Sequence, residues 1–423
     1  MAYIVFVSPP DKFLENAGDR APLGIGYLSS YCKSLGHRTK IFDLNHEKEG
    51  DMFREIKDHP PDFVCFTVAT PTYNDCINMA KRISVNFNGK LVAGGNHVTN
   101  IPHEPLTIQT FDYVVVGDGE NAIREIINGE AKQQVIISKP IEDLDSLPMP
   151  DYEGLKFERY GMKLDGEKGA VLVTSRGCVF NCFFCGSAKL KKWRSHSPQR
   201  VIEEMKILYG KYGIRGFYFG DDIFTFNKQR VYDICKLMND TFNKKDISWR
   251  ATTRVDLVDE PLLEAMHNAG CNILSFGFES GNNDVLRALH KGSAATTERA
   301  EEVVRMCKNI GIKVKGFFII GLPEETWDRV MQSIEFAKRL DLEYVDFYPL
   351  TPFPNTPFWD SPESFGIEIE YPKESRWETY YQVGKGGAGK LHIKHPNLTK
   401  QQILQLVDIA RKELRKDGKT YNK

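Results

Sequence analysis

The chain has 423 residues, a length that predicts two or three domains. Its 56 Lys and Arg residues almost balance its 57 Asp and Glu residues, for a formal net charge of −1, which argues against a nucleic-acid partner bound through a broad basic face. No apolar run approaches the roughly 20 residues of a membrane span, and the first residues lack the basic start of a secretory signal. We therefore expect a cytoplasmic protein without a membrane span.

The first part of the chain alternates short apolar runs with helical patterns. The runs are rich in Val, Ile and Phe, as strands of a parallel sheet buried on both faces should be. The predicted strands are Tyr3–Val7, Thr39–Leu44, Phe63–Val68, Lys90–Ala93 and Tyr113–Val116. Strands that alternate with helices predict a doubly wound α/β sheet.

Glycines and small polar residues gather where three of these strands end. Ligands bind beyond the carboxyl ends of the strands in such sheets, and Gly permits close approach of the backbone to a ligand. Each cluster alone is typical of a tight turn, but three clusters at one sheet edge favour a ligand site. The candidate residues are Thr67, Thr70, Gly94, Gly95, Gly117, Gly119 and Glu120.

A connector separates this part from the next, because Pro140, Pro148 and Pro150 interrupt acidic, irregular sequence. The second part again repeats strand and helix, with helices such as Pro198–Tyr212 and Ala300–Asn309. Six such units predict a partial (β/α)6 barrel of the TIM type, with its chemistry at the carboxyl ends of the strands. The predicted strands are Ala170–Thr174, Gly216–Phe219, Ser248–Thr252, Ile273–Phe278, Lys315–Ile320 and Tyr344–Tyr348.

We therefore expect a first domain over residues 1–140, a linker over 141–168, a barrel domain over 169–370 and a C-terminal extension over 371–423. In the extension, Gly384, Gly389 and Lys390 have the spacing of a phosphate-binding loop, with a plain flexible loop as the alternative. The pattern of Leu398–Lys416 predicts one amphipathic helix.

Three cysteines, Cys178, Cys182 and Cys185, lie on one short segment directly after the first barrel strand. Iron–sulfur clusters are normally held by four Cys thiolates, so three would leave one iron open for an outside ligand. The alternative is a zinc site, which closes with four ligands and would take His196 as the fourth. Disulfides are not indicated, because the nine Cys residues form no paired framework.

The C-x3-C-x2-C spacing, with Phe184 just before the last Cys, resembles the signature of the radical SAM enzymes. The resemblance implies a 4Fe-4S cluster whose open iron chelates the amino and carboxylate groups of S-adenosylmethionine. It also implies reductive cleavage of that molecule to a 5′-deoxyadenosyl radical. An electron donor such as flavodoxin or ferredoxin is then an expected partner.

The strand ends of the barrel offer a partner for each group of S-adenosylmethionine. We expect acidic residues to accept from its amine, a guanidinium to bind its carboxylate, a carboxylate to accept from its ribose and a strand backbone to meet its adenine. For the amine the segment is Gly220, Asp221 and Asp222, where a carboxylate or a backbone carbonyl can accept. For the carboxylate, the ribose and the adenine the residues are Arg254, Glu279 and Ile320. The alternatives are that Asp221 caps the next helix and that Arg254 forms a salt bridge inside the barrel. The family's Gly-Gly-Glu element is replaced here by Gly220-Asp221-Asp222, which leaves open which group holds the amine.

The first part of the chain resembles cobalamin-binding domains, through Pro22–Leu28, Gly94–Thr99 and Val116–Glu120. The resemblance implies a flavodoxin-like fold that binds cobalamin at the strand ends. Many such domains carry D-x-H-x-x-G, whose His ligates cobalt. Here His46 is one position late and the Gly is missing, so we expect His46 to be a surface or turn residue.

Over the whole chain the resemblance is to the cobalamin-dependent radical SAM class, which includes methyltransferases and the anaerobic Mg-protoporphyrin monomethyl ester cyclase. It implies methylation of an unactivated carbon in a small molecule or biosynthetic intermediate. One S-adenosylmethionine would provide the methyl group and another the radical. The alternatives are a radical cyclisation or rearrangement without methyl gain, and a zinc-binding scaffold protein.

Overall fold

The computed structural model describes residues 1–189, 192–370, 377–380 and 391–416. The described chain divides into two compact units, one of residues 1–161 with 377–380 and the other of 162–370 with 391–416. The phosphate-loop spacing of Gly384, Gly389 and Lys390 lies outside the described residues. Among the helices of the described segments, none is both long and apolar enough to cross a membrane.

The first unit is built on a six-stranded sheet in which all pairings are parallel. Its strands are β1 (Tyr3–Ser8), β2 (Arg38–Asp43), β3 (Phe63–Thr67), β4 (Lys90–Gly94), β5 (Tyr113–Val116) and β6 (Val135–Ile137). The order β2-β1-β3-β4-β5-β6 reverses direction at β1, which is the flavodoxin-like arrangement. The predicted doubly wound sheet is confirmed, and each predicted strand is present to within one residue at either end. The strand β6 was not predicted, because three residues are too few to show a period.

The helices of the first unit connect successive strands, as parallel pairing requires. They are α1 (Leu23–Ser34), α2 (Glu49–Asp58), α3 (Tyr73–Ser84), α4 (Asn96–Asn100), α5 (Glu104–Thr107) and α6 (Gly119–Ile127). Gly36 follows the C-cap of α1 with a φ of 84°. This conformation lets the N–H groups of Gly36 and His37 donate to the carbonyls of Lys33 and Cys32. The strand β1, which lies between β2 and β3, is buried, with Ile4, Val5, Phe6 and Val7 at 0% exposure.

The second unit contains a seven-stranded sheet of order β15-β14-β13-β12-β11-β8-β7, together with two short strand pairs. In chain order the strands are β7 (Lys163–Leu164), β8 (Glu167–Leu172), β9 (Ser175–Arg176), β10 (Arg194–Ser195), β11 (Gly216–Phe219), β12 (Ser248–Thr253), β13 (Cys271–Glu279), β14 (Lys313–Ile320), β15 (Tyr344–Pro349), β16 (Glu368–Ile369) and β17 (Ile393–Lys394). Within this sheet the six strands β8, β11, β12, β13, β14 and β15 are parallel, and β7 runs antiparallel to β8. This confirms the predicted partial barrel.

Helices alternate with the barrel strands along the chain. They are α7 (Pro198–Tyr212), α8 (Lys228–Thr241), α9 (Glu260–Asn268), α10 (Asn283–Ala288), α11 (Thr297–Ile310), α12 (Trp327–Arg339), α13 (Pro357–Asp360) and α14 (Lys400–Lys416). The predicted helix α14 packs against α12 and β15. Aromatic side chains fill the core, where Phe219 meets Trp249 edge-on at 5.3 Å and Phe318 stacks on Phe347 at 4.6 Å between ring centres.

The first barrel strand was predicted wrongly at both ends. It runs over Glu167–Leu172 rather than Ala170–Thr174, because a tight turn at Asp165 and Gly166, both with positive φ, pairs it with β7 before the barrel begins. Its pairing with β11 ends at Leu172. The backbone of Thr174 has left the sheet and bonds instead to side chains and to the N–H of His196.

Candidate active site

The cysteine loop leaves the sheet directly after β8 and is closed at its base by a short strand pair. Ser175 and Arg176 of β9 pair antiparallel with Ser195 and Arg194 of β10. Gly177 turns the chain into the loop with a φ of 89°, a conformation that favours Gly. The loop therefore lies at the carboxyl end of the barrel strands, where the barrel rule places chemistry.

Each of the three loop cysteines has a hydrogen-bond donor at its sulfur. The backbone N–H of Phe180 donates to Cys178, and the backbone N–H of Ser187 donates to Cys185. The guanidinium of Arg254 donates to the Sγ of Cys182 over 3.7 Å. Burial raises the pKa of all three thiols, to about 11 for Cys185, and these donors work against the rise because they stabilise the thiolate.

The donor set fits an iron–sulfur cluster. In such a cluster each Cys binds a different iron, so the sulfurs lie farther apart than around a single zinc ion, where bonds of about 2.3 Å require sulfurs within roughly 4 Å. Among the described residues, no group of three His, Cys, Asp or Glu side chains is arranged to hold a metal ion. Buried thiols with N–H donors to sulfur are the surroundings in which cluster ligands are found.

The buried carboxylate of Asp221 anchors the base of the loop. Its Oδ1 accepts from the N–H of Thr174 at 2.7 Å, and its Oδ2 accepts from the hydroxyls of Thr174 and Ser175 at 2.6 and 2.7 Å. The Nη2 of Arg230 donates to the carbonyl of Thr174 at 2.8 Å. Burial raises the pKa of Asp221 while the charge of Arg230 opposes the rise. Asp221 does not cap α8, whose N-cap is Asn227.

The neighbouring Asp222 has a different position. Its Oδ1 accepts from the hydroxyl of Ser187 at 3.0 Å, and the residue is exposed. Ser187 is the residue whose N–H donates to the sulfur of Cys185, so Asp222 lies beside the cysteine loop. Of the two predicted amine acceptors, both oxygens of Asp221 are engaged by the protein and Asp222 is open to solvent.

Arg254 lies against the cysteine loop but its fork is engaged by a nearby carboxylate. Its Nε and Nη2 donate to Asp256 at 2.9 and 2.8 Å, in the bidentate geometry that a ligand carboxylate would also require. The guanidinium also covers the ring of Phe180 at 3.7 Å. The alternative that we stated for Arg254, a salt bridge inside the barrel, is therefore present.

Glu279 ends β13 in a left-handed conformation, with a φ of 66°, and it is buried. Its Oε1 accepts from the Nζ of Lys291 at 2.6 Å, and both side chains are almost fully buried. A strained backbone at a strand end is typical of functional positions. Lys291 lies in the loop between α10 and α11, and no sequence pattern indicates its role.

That same loop holds the cysteine segment in place. The N–H of Phe183 donates to the carbonyl of Leu289 at 3.1 Å, and the ring of Phe183 stacks on His290 with centres 4.3 Å apart. Phe184, the predicted aromatic signature residue, is half-buried. The connection from Phe183 through residues 289–291 to Glu279 joins the cysteine loop to the predicted ribose acceptor.

Ile320 is fully buried at the end of β14, and its carbonyl already accepts from the N–H of Leu350 at 2.8 Å. The next turn is held by Glu325, whose Oε2 accepts from the N–H groups of Gly321 and Leu322 at 2.7 and 3.0 Å. Its Oε1 is buried and has no hydrogen-bond partner among the residues that the structure describes. Burial raises the pKa of Glu325 to about 8 and so favours the neutral form of this carboxyl.

In the first unit, the predicted glycine clusters meet at one sheet edge, because β3, β4 and β5 are neighbours. Gly95 has a φ of 106°, and a Cβ there would lie 2.8 Å from the backbone N and O of Val68. Gly117 has a φ of 89° and its N–H donates to the hydroxyl of Thr99 at 3.1 Å. Gly95 is therefore required by its close approach to Val68, whereas a Cβ at Gly94 or Gly117 would meet no atom nearer than 4.0 or 3.8 Å. The edge thus has open backbone at Gly94 and Gly117, which fits a large cofactor.

The other candidates of this edge have mixed surroundings. Thr67 ends β3, and the hydroxyl of Thr70 is 3.3 Å from Nδ1 of the buried His97. Gly119 serves the packing of α6 on α1, because a Cβ there would lie 2.9 Å from Leu28. Glu120 is buried in the first turn of α6. Gly94 ends β4, and its carbonyl accepts from Val68 at 2.7 Å.

Two further features of the first unit concern histidines. His46 is an exposed residue whose Nε2 is 2.7 Å from the carbonyl of Gly18, as expected for a turn position. His97 packs between Tyr73 and Trp377, and its Nε2 is 3.3 Å from Glu104. Sequence reasoning missed this cluster, because Trp377 lies in the C-terminal extension.

Comparison with known proteins supports the interpretation of both units. The model of the Radical SAM superfamily matches residues 172–337, and that of the B12 binding domain matches residues 14–127. An uncharacterized methyltransferase of Pyrococcus horikoshii is 35% identical over 412 residues, which cover 91% of this chain and 86% of that protein. The chain belongs to the cobalamin-dependent radical SAM enzymes.

Two further proteins are similar to the chain at lower sequence identity. The anaerobic magnesium-protoporphyrin IX monomethyl ester cyclase of Cereibacter sphaeroides is 27% identical over 390 residues, and the match covers 84% of this chain but 63% of the cyclase. The structure of the methyltransferase TsrM from Kitasatospora setae has a TM-score of 0.77 at 17% identity, covering 97% of this chain and 89% of that one. At this low identity, the similarity to TsrM is a similarity of fold.

Membership in the radical SAM class confirms three predictions and removes one alternative. The protein is an enzyme, its cofactors are a 4Fe-4S cluster, S-adenosylmethionine and cobalamin, and its fold is the predicted pair of α/β units. The zinc-binding scaffold is therefore wrong. The roles of individual residues toward the cofactors stay predictions.

Replacing Asp221 tests the anchor of the cysteine loop. Asp221→Ala leaves three buried donors of Thr174 and Ser175 without their acceptor. We expect the free energy of unfolding of the cluster-free protein to fall by about 3 kcal/mol or more, and iron bound per chain after anaerobic reconstitution to fall as well. The control Asp240→Ala, at an exposed position of α8, should change stability by less than about 0.5 kcal/mol. Unchanged stability and iron content in Asp221→Ala would contradict the assignment.

The raised pKa of Glu325 predicts a pH dependence of stability. The carboxyl ionises near its usual pKa of 4.5 when unfolded and near about 8 when folded, so the folded state holds the extra proton between these values. The free energy of unfolding should therefore fall as pH rises from about 5 to about 8, by at most about 1.4 kcal/mol per pH unit. Glu325→Gln removes this contribution. Urea unfolding of both cluster-free proteins measures it, and a difference that is flat or rises with pH would refute it.

Proposed function

We propose that this enzyme methylates an unactivated carbon of a small-molecule substrate in the cytoplasm. One observation carries the proposal. The chain combines a cysteine loop with three thiols beside N–H donors and a separate sheet edge of bare glycine backbone, each suited to one of the two cofactors. A methyl carrier and a radical source in one chain are the two requirements for methylating a carbon that is not nucleophilic.

The bound cofactors supply the hard chemistry: the cluster provides the electron that cleaves S-adenosylmethionine, and cobalamin carries the methyl group. The protein's residues bind and orient. We propose that residues 169–370 form the radical SAM domain, in which Cys178, Cys182 and Cys185 bind the cluster. We propose that residues 1–140 form the cobalamin domain, which binds cobalamin at its glycine edge. We assign no cobalt ligand in this domain. His46, the nearest match to the cobalt-ligating His of such domains, has its Nε2 2.7 Å from the carbonyl of Gly18.

Three positions are proposed for S-adenosylmethionine itself. Asp222 is the better amine acceptor of the acidic pair, because the oxygens of Asp221 are engaged by Thr174 and Ser175. Glu279, which is bonded to Lys291, is the proposed acceptor for the ribose hydroxyls. The turn after Ile320, stiffened by Glu325, is the proposed wall for adenine.

Two molecules of S-adenosylmethionine are used in each proposed turnover. One loses its methyl group and leaves as S-adenosylhomocysteine; the other leaves as 5′-deoxyadenosine, which carries the substrate hydrogen, and methionine. Two sulfonium charges are consumed while the substrate exchanges a hydrogen for a methyl group, so two electrons must come from outside. This is the reason to propose a one-electron donor such as flavodoxin or ferredoxin as partner.

A second candidate is radical cyclisation or rearrangement without methyl gain. It is favoured by the 27% identity to the magnesium-protoporphyrin cyclase, of which this chain spans 63%. The two candidates differ in the mass of the product and in whether S-adenosylhomocysteine forms.

A labelled methyl group tests the proposal directly. The protein is reconstituted anaerobically with iron, sulfide and cobalamin, then incubated with S-adenosylmethionine bearing a trideuterated methyl group and a small-molecule extract. We expect equal amounts of S-adenosylhomocysteine and 5′-deoxyadenosine, and a metabolite in which trideuteromethyl replaces one hydrogen. Cys182→Ala should abolish 5′-deoxyadenosine, whereas His46→Ala should retain all products. Formation of 5′-deoxyadenosine with a consumed metabolite but no labelled product would favour the second candidate and refute methyl transfer.

A further inference from the structure

Arg254 contacts one cysteine sulfur with a fixed, positively charged group. Its Nη1 lies 3.7 Å from the Sγ of Cys182. The side chains of Arg254 and its partner Asp256 are only 8% and 11% exposed. Arginine side chains carry a delocalised positive charge on a planar guanidinium. A permanent positive charge therefore lies at the ligand sulfur itself.

The surrounding structure leaves this guanidinium little freedom. Its Nε and Nη2 fork onto Asp256, its Nη2 also donates to the carbonyl of Lys291, and its plane covers the ring of Phe180 at 3.7 Å. The edge that carries Nη1 is thereby held toward Cys182. Because the contacts come from three separate segments, the position of the charge does not depend on a flexible side chain.

The sulfurs of the other two cysteines have donors of a different kind. Cys178 and Cys185 receive backbone N–H groups, which are neutral dipoles. Hydrogen bonds to sulfur, net charge and solvent exposure set the reduction potential of an iron–sulfur cluster. A guanidinium stabilises the reduced form, which carries one more negative charge, more than the oxidised form. A carboxylate behind the guanidinium has the opposite effect, weakened by its greater distance.

We propose that the Arg254–Asp256 pair sets the reduction potential of the cluster, with Arg254 raising it through Cys182 and Asp256 limiting the rise. Arg254 is here a positioning and tuning residue, and it need not touch the substrate. The inference rests on the same cluster as the proposed function, but it concerns the one-electron potential of the resting cluster and not methyl transfer. The fork engaged by Asp256 also explains why a buried guanidinium is tolerated beside a thiol.

Replacing each partner alone should shift the potential in opposite directions. Arg254→Gln removes the positive charge, and Asp256→Asn removes the negative charge while leaving the guanidinium in place. We expect Arg254→Gln to lower the equilibrium constant for cluster reduction by about tenfold, which is about 59 mV for a one-electron couple. We expect Asp256→Asn to raise this constant by a smaller factor. A purely structural role would change iron content but would not produce shifts of opposite sign.

The measurement is anaerobic potentiometry with dithionite as reductant, followed by electron paramagnetic resonance of the reduced cluster. The full chain is used without S-adenosylmethionine, cobalamin or substrate. The control Arg215→Gln removes a guanidinium that precedes β11 at the opposite end of the barrel strands and stacks on Tyr209, and it should leave the potential unchanged. Iron and sulfide are determined for every variant so that only fully loaded protein is compared.

If Arg254→Gln fails to hold a cluster, Asp256→Asn still decides, because it retains the charged donor. A potential in Asp256→Asn that is lowered or unchanged overturns the proposal, as do equal shifts in the two variants. The outcome is separable from that of the proposed function. Opposite shifts of the reduction potential without a methylated product would refute only the proposed methyl transfer. A methylated product without these shifts would refute only the role of Arg254 and Asp256 in setting the potential.

Discussion

The cysteine loop depends on one buried interaction, the carboxylate of Asp221 on Thr174 and Ser175. β8 ends at Leu172, and the chain must then leave the sheet at a fixed point and in a fixed direction to position the three cysteines of the loop. Asp221 supplies this by accepting the N–H and hydroxyl of Thr174 and the hydroxyl of Ser175. Since Asp221 follows β11, the neighbour of β8, the anchor ties the loop to the sheet edge.

A second set of contacts connects the loop to the far side of the barrel. In residues 289–291, the carbonyl of Leu289 accepts from the N–H of Phe183, and the ring of His290 stacks on that of Phe183. The carbonyl of Lys291 accepts from Arg254, and its Nζ donates to Glu279. A displacement of this segment would therefore move the cysteine loop and the proposed ribose acceptor together. Radical chemistry requires such coupling, because the position of S-adenosylmethionine must be matched to that of the iron it binds.

The architecture and the candidate site residues could be predicted from the sequence, but the side chains that bind those site residues could not. Apolar periodicity predicted every strand of the two large sheets except β6 and β7, which have three and two residues and show no period. Spacing predicted the cysteines, and position at strand ends predicted Asp221, Arg254 and Glu279. Lys291 and Asp256 were missed because they lie in or beside loops whose placement depends on tertiary packing. For the same reason sequence position alone predicts a ligand carboxylate for Arg254, whereas its fork binds Asp256.

The central claim is that three cysteines leave one iron open to S-adenosylmethionine. Electron–nuclear double resonance of the reduced cluster, with S-adenosylmethionine carrying 15N in its amino group and 17O in its carboxylate, tests it most directly. The account predicts magnetic coupling of both labels to the cluster, and its loss when S-adenosylmethionine is omitted. Absence of coupling from either label, or coupling from a protein nitrogen such as that of His196 in their place, would contradict it.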